Sequence, residues 1–291
     1  MVRMTVQPAP SFSNKLKEQI FNAEEVHINY AVSETNRQTL LLLHGITSNW
    51  QSFLALIPSF GENHQIFAMD LRGHGRSGRV KHGYRLVDYS TDVLQFVQNK
   101  LRNSTIILGH SFGALIAIHV AAKLPQTIRG IILLDPPLIY RTMAIKDSPW
   151  SVDKEAYQWF VTAHDIMKSS ESIGEVENSL QHMFPTWSAK NRSVLAHRLS
   201  QTDPEVLGML IDHQHMVNYD TDELLNHVNC PVLVFQGNRS RGAALTDEDA
   251  QYLQNNLKNC KVILLEDAGH NVHETHSQEV AEQVIGFLNT I

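Results

Sequence analysis

Residues 109–113 read Gly-His-Ser-Phe-Gly, a hydroxyl set between two glycines, with Ile106-Ile107-Leu108 before it and Ala114-Leu115-Ile116-Ala117 after it. A serine in that setting has one chemical use that demands the spacing. At a tight strand-to-helix turn the glycines remove side chains where the backbone is crowded, the hydroxyl stands exposed, and the helix start behind it favours developing negative charge. A serine hydroxyl is a poor nucleophile at neutral pH. It therefore needs a base within hydrogen-bond reach, and acyl transfer needs donors for the oxyanion it develops. The pentapeptide alone recurs by chance, so its weight depends on whether a strand and a helix flank it.

The surrounding pattern supplies both. Apolar runs with strand character occupy Val26–Ala31, Thr39–Leu43, Gln65–Met69, Thr105–Leu108, Gly130–Leu134, Val232–Phe235 and Lys261–Leu265. Most are continuous rather than alternating, as strands buried on both faces of a parallel sheet are. Helical patterns fall between them at Val87–Leu101, Leu115–Leu124, Asp247–Leu257 and Gln278–Leu288. The alternation predicts an α/β chain with a mainly parallel central sheet covered by helices on both faces. Ser111 then lies at the end of Thr105–Leu108, just before a helix starting near Gly113.

From Pro136 to His227 the alternation stops and helical spacing takes over. Ala156, Trp159, Phe160, Ala163, Ile166 and Met167 keep one such stripe, and Ile173, Val176, Leu180 and Met183 another. Asp203-Pro204 supplies an N-cap and first-turn proline for a helix over Val206–Met216. The expected organisation is a core of residues 1–135 and 228–291 with an all-helical cap inserted at 136–227.

Three more motifs end strands in the same way: His44-Gly45, the loop Asp70-Leu71-Arg72-Gly73-His74-Gly75-Arg76-Ser77, and Gly269-His270. With Gly109–Gly113 they make four motifs in order, and on them the chain resembles the α/β-hydrolase superfamily from about Val26 to Leu288. The resemblance implies Ser111 as nucleophile and His270 as its base. It also implies an oxyanion hole made by the backbone N–H groups of Ile46 and Phe112, and no cofactor or metal. One element departs from the pattern. Most of the superfamily carries the triad acid three residues beyond a glycine after the strand that here is Val232–Phe235, yet after Gly237 this chain reads Asn238-Arg239-Ser240. Haloalkane dehalogenases and certain cofactor-free oxygenases instead carry it at the end of the strand after the nucleophile helix. That strand here ends in Leu133-Leu134-Asp135-Pro136, which makes Asp135 the expected acid and keeps the order serine, acid, histidine. The competing reading has Asp135 only capping a turn. Asp247 and Asp249 read as a helix start.

Sixteen histidines need sorting. His44 is expected to brace the oxyanion loop, His74 to sit in the glycine-rich loop near the site, and His110 to pack beside the elbow. His273 and His276 are expected at a helix start or at the surface. Asp212-His213-Gln214-His215 superficially suggests metal ligands, but histidines two apart on a helix point to different sides. The net charge of −6 gives no footprint for nucleic acid or an acidic membrane. No apolar run is long enough to span a bilayer, and the N-terminal residues lack a secretory h-region, so a cytoplasmic location is expected. Cys230 and Cys260 are too few for a disulfide framework.

The expected activity is hydrolysis of a carboxylic ester, thioester or lactone of a small apolar or aromatic molecule, through an acyl-serine intermediate. Serine in place of aspartate disfavours the alkyl-transfer chemistry of dehalogenases and epoxide hydrolases. Trp150, Trp159, Phe160, Met167, Met183, Phe184 and Trp187 are expected to pack together in the cap, with some lining an apolar pocket. A cofactor-independent oxygenase, a carbon–carbon-bond hydrolase, and a ligand receptor with a decayed triad remain as alternatives.

Overall fold

The structure is a computed structural model that describes residues 16–35, 37–101, 104–138 and 154–291. Trp150 and the rest of residues 139–153 of the expected cap lie outside the described residues.

Eight strands form one sheet: β1 (Leu16–Asn22), β2 (His27–Ser33), β3 (Gln38–Leu43), β4 (His64–Met69), β5 (Thr105–His110), β6 (Ile128–Leu134), β7 (Val232–Gly237) and β8 (Cys260–Leu265). Their order is β1-β2-β4-β3-β5-β6-β7-β8. From β4 to β8 every neighbouring pair is parallel, whereas β1 and β2 run antiparallel at one edge. Every residue of β5 and β7 is buried, which is why those stretches read as unbroken apolar runs. The edge strand β1 was not expected. Its sequence, LKEQIFN, has no buried residue and therefore no clean period-2 signal.

Helices cover both faces. α2 (Leu86–Phe96), α3 (Phe112–Lys123), α8 (Thr221–Asn226) and α9 (Asp247–Asn256) contribute to one apolar cluster, and α1 (Ile57–Phe60) and α11 (Ser277–Leu288) to the other. α10 (Val272–Thr275) lies between β8 and α11.

Between β6 and β7 the described residues form only helices: α4 (Lys154–Ser169), α5 (Ile173–Met183), α6 (Ala189–Ser200), α7 (Pro204–Ile211) and α8. The first four surround a separate cluster of Ala163, Ile166, Val176, Leu180, Ala196, Leu199, Leu207 and Leu210. Asp203 caps α7 as its sequence predicts, accepting the Glu205 N–H at 3.0 Å. α7 stops at Ile211 rather than running to Met216, because His213 takes a left-handed conformation (φ 58°) that ends the helix. The His213–His215 segment is a turn whose His215 carbonyl accepts the Leu86 N–H at 2.8 Å.

Candidate active site

The sheet register brings the four motifs together. Leu43 pairs with Gly109, so the loop after β3 meets the turn after β5. On the other side His110 pairs with Leu134 and Leu134 with Phe235, so Asp135 lies beside the elbow and beside the end of β7. These are the carboxyl ends of parallel strands, where open α/β sheets place their sites.

Ser111 sits at φ 52° and ψ −117°, a region L-residues rarely adopt, at a cost of about 1–3 kcal/mol. Two hydrogen bonds hold it there: its N–H donates to the Leu134 carbonyl (2.9 Å) and its own carbonyl accepts from the Ala114 N–H (2.9 Å). The flanking glycines have a direct cause. A Cβ on Gly109 would lie 2.3 Å from the Gly113 carbonyl oxygen, and one on Gly113 would lie 2.2 Å from that of Leu43.

His270 bridges the other two expected residues. Its Nε2 is 2.9 Å from Ser111 Oγ, and its Nδ1 is 2.6 Å from Asp135 Oδ2. The Asp135 carboxylate is fully buried, yet it is well supplied with donors. Oδ1 accepts the N–H groups of Gly237 (3.1 Å) and Leu245 (3.3 Å), and Oδ2 accepts that of Ala244 (2.6 Å) in addition to the imidazole. A buried charge persists only when hydrogen-bonded in this way. With the carboxylate accepting, Nδ1 carries the proton and Nε2 presents its lone pair to the serine hydroxyl.

The competing carboxylates are engaged elsewhere. Asp247 accepts Gln236 Nε2 at 2.6 Å, and Asp249 bonds the Thr246 hydroxyl at 2.9 Å. Ser240 is exposed, with its hydroxyl on Asn238 Oδ1 (2.8 Å), while Arg241 pairs with Asp267 (3.0 Å).

The two residues expected to give oxyanion donors come from segments that meet at Ser111. Phe112 is the first residue of α3, where N–H groups have no acceptor within the helix. Ile46 follows Gly45, whose added Cβ would come within 3.0 Å of Ser111 Cβ, so this loop runs against the elbow. The Ile46 side chain packs against the apolar cluster of the inserted helices.

Several histidines buttress these loops. His110 donates from Nε2 to the His270 carbonyl (3.0 Å), tying the residue before Ser111 to His270. His273 stands in the first turn of α10 but is buried, with its ring 4.3 Å from that of His110 and 5.2 Å from that of Phe53. Burial holds His273 at about 3 and pushes His110 well below the ordinary imidazole range. The burial of His273 left no mark in the sequence, where its three-residue spacing from His270 is all that shows.

The inserted helices are fastened at the rim of the site. Arg198 of α6 pairs with Glu274 of α10 (2.5 Å), Gln201 Oε1 accepts Asn49 Nδ2 (3.2 Å), and Asp203 Oδ2 accepts the Tyr84 hydroxyl (2.7 Å). Of the aromatic residues in this region, Phe184 stacks on Trp187 (4.3 Å) and meets Trp159 (5.7 Å).

Comparison with known proteins agrees with this architecture. A family model for the alpha/beta hydrolase fold matches residues 38–277. The chain belongs to that family. It is 26% identical over 257 residues to 2-(acetamidomethylene)succinate hydrolase of Mesorhizobium japonicum, covering 86% of this chain and 87% of that one. A putative esterase/lipase of Haemophilus influenzae is 21% identical over 259 residues, 87% of this chain and 84% of its own. Among solved structures, an N-formylmaleamic acid deformylase from Pseudomonas putida superposes with a TM-score of 0.74 at 20% identity, covering 92% of this chain and all of the other. Fold and relatives together define a hydrolase of the α/β class. Among the described residues no helix is long and apolar enough to cross a membrane.

Proposed function

We propose that the protein is a serine hydrolase that cleaves a carboxylic ester, thioester or lactone of a small, largely apolar molecule. The observation that carries this reading is the continuous chain from Ser111 Oγ to His270 Nε2 (2.9 Å) and from His270 Nδ1 to Asp135 (2.6 Å). In the first step Ser111 Oγ attacks the acyl carbon while His270 Nε2 takes the hydroxyl proton. The carbonyl electrons move onto oxygen, which the N–H groups of Ile46 and Phe112 receive. Collapse expels the alcohol or thiol, which leaves with the proton from His270, and an acyl-serine remains. Water repeats the sequence, with His270 again base and then acid, and frees the carboxylic acid. Asp135 holds the tautomer and stabilises the imidazolium. Phe160, Met167, Met183 and Phe184, partly buried against the inserted cluster, supply the apolar surroundings for the acyl or leaving group.

The test is labelling with a fluorophosphonate, followed by a panel of p-nitrophenyl acyl esters, thioesters and lactones. An N-acyl compound joins the panel because the M. japonicum relative is named for an acetamido substrate. Labelling of one site, lost in Ser111→Ala, together with turnover graded by acyl length, is expected. A protein that is neither labelled nor active on the panel is not a serine hydrolase; turnover of an aromatic heterocycle that stops without oxygen would identify the oxygenase alternative.

A further inference from the structure

The oxyanion loop carries an unusual strain. Thr47, the residue after Ile46, has φ 57°, a genuine outlier for a β-branched side chain. Such strain persists only where neighbours over-determine it, and here two histidines do so reciprocally. His44, on the oxyanion loop, accepts the Leu71 N–H at Nε2 (3.0 Å), while its Nδ1 donates to the Gly45 carbonyl (2.7 Å). His74, on the facing loop, accepts the Thr47 N–H at Nε2 (3.2 Å), while its Nδ1 donates to the Arg72 carbonyl (2.9 Å). Each ring thus takes a backbone proton from the other's loop. Both must be neutral Nδ1–H tautomers, because a backbone N–H needs a lone pair at Nε2. The two rings meet edge to face at 5.0 Å and are fully buried.

The facing loop is itself rigid. Arg72 makes a two-pronged ion pair with Asp92 (2.6 Å at each prong) and donates to the Gly83 carbonyl (2.8 Å). The Asp70 carboxylate collects the N–H groups of Trp50 (2.9 Å) and Arg76 (3.0 Å) and the Asn29 amide (2.9 Å). A Cβ on Gly75 would fall 2.3 Å from that carboxylate, so the loop closes tightly around it.

We infer that His44 and His74 form a reciprocal brace that holds Thr47 in its strained conformation and thereby aims the Ile46 N–H at the oxyanion of the proposed reaction. They are positioning residues, and neither touches the substrate. Burial favours the neutral rings, holding His44 at about 4 and His74 at about 3; Arg198 acts on the first in the same direction, while Asp70 and Asp203 oppose it at the second. The acceptors are therefore available throughout the neutral range.

The inference rests on the serine-hydrolase reading, so the experiment separates the two. His74→Leu keeps bulk and removes the acceptor, whereas His74→Gln places an amide oxygen near the lost Nε2. With assays kept well below each variant's Tm, His74→Leu is expected to lower kcat by roughly 10–100-fold, part of what deleting an oxyanion donor outright costs. KM should stay within about threefold. Affinity for a trifluoromethyl ketone, which forms a tetrahedral adduct on the serine, should fall by the same factor as kcat. His74→Gln should recover most of both losses. Nitrogen-15 NMR of the imidazoles should find both rings as Nδ1–H tautomers, and the Thr47 amide should move in His74→Leu but not in His74→Gln. A folded His74→Leu with kcat and ketone affinity within threefold of wild type overturns the brace, as does a glutamine no better than leucine. If the wild-type protein is inert towards esters and phosphonate, the serine-hydrolase reading fails instead, and the NMR tautomers and Thr47 shift decide the brace alone.

Discussion

The ends of β6 and β7 lie side by side and divide one task. The loop after β7, where most of the superfamily carries the acid, brings no carboxylate to His270; it brings the N–H groups of Gly237, Ala244 and Leu245 to Asp135. The end of β6 brings the carboxylate, at a residue held at φ 48°. The carboxylate that meets His270 stands one strand away from the loop after Gly237, and that loop forms its donor cradle. What the imidazole requires is a fixed carboxylate opposite Nδ1, and two adjacent strand ends can meet that need from either side.

The sharpest break of this comparison is Asp135→Asn. In a serine-protease precedent the same change leaves the geometry intact and lowers turnover about 10⁴-fold. A fall in kcat of roughly 10³–10⁴-fold is expected here on the best ester of the panel, with the fold retained. Steady-state kinetics beside a thermal melt measures it. Ser240→Asp added to this variant should restore less than about tenfold of that loss, because Ser240 is exposed and turned onto Asn238. Retention of activity within tenfold in Asp135→Asn, or strong rescue by Ser240→Asp, would return the acid to β7.

Asp135 was legible because a position was empty: the chain has Gly237 and then Asn238-Arg239-Ser240, and a carboxylate stands at the end of the neighbouring parallel strand. Ser111 and His270 were legible because crowded turns leave glycine no substitute. The buried strands announced themselves through continuous apolar runs. What the sequence hid were features set by tertiary contact. β1 exposes or half-exposes every residue and pairs through its backbone, and His273 is buried only because α10 packs against the turn holding Phe53. The donor cradle of Asp135 is made of main-chain groups, which carry no residue signature at all.

The rim differs from the inserted helices in the same sense, since it is built of neutral rings out of contact with water. Burial holds His44 at about 4, and His74 and His273 at about 3. The unfolded chain, with imidazoles near 6.5, binds more protons than the folded one between those values and about 6.5. Stability therefore rises with pH through that window, is full above it, and is lost as pH falls. Each ring contributes up to about 1.4 kcal/mol per pH unit. Urea unfolding followed from pH 6.5 to 5 should lose stability as pH falls, roughly 2–4 kcal/mol per unit from these three rings, with buried His110, His119 and His215 adding in the same direction, and His74→Gln should lower the slope by up to about 1.4 kcal/mol per unit. Burial has raised the carboxyls of Asp70 and Asp92, which act with the opposite sign at the acid end. A flat profile would mean these rings are solvated.

The finest test applies one substitution to both regions. At Gly113 an added methyl lies 2.2 Å from the Leu43 carbonyl oxygen, a backbone atom that cannot step aside, so Gly113→Ala must push β3 and α3 apart and should cost folding or all activity. Gly174, in the first turn of α5, meets only Ser172 Oγ at 3.9 Å and has no positive φ. There a methyl costs the folded state nothing and narrows the unfolded ensemble, so Gly174→Ala should stabilise by about 0.4–1 kcal/mol. Urea titration resolves a change of that size when the slope m is unchanged. Turnover should stay at the wild-type level, because Gly174 is exposed in the first turn of α5, at the opposite end of that helix from Met183. If Gly174→Ala alters kcat while leaving the urea midpoint untouched, the first turn of α5 takes part in the working site, and the division between a chemically committed rim and a tolerant insertion must be redrawn.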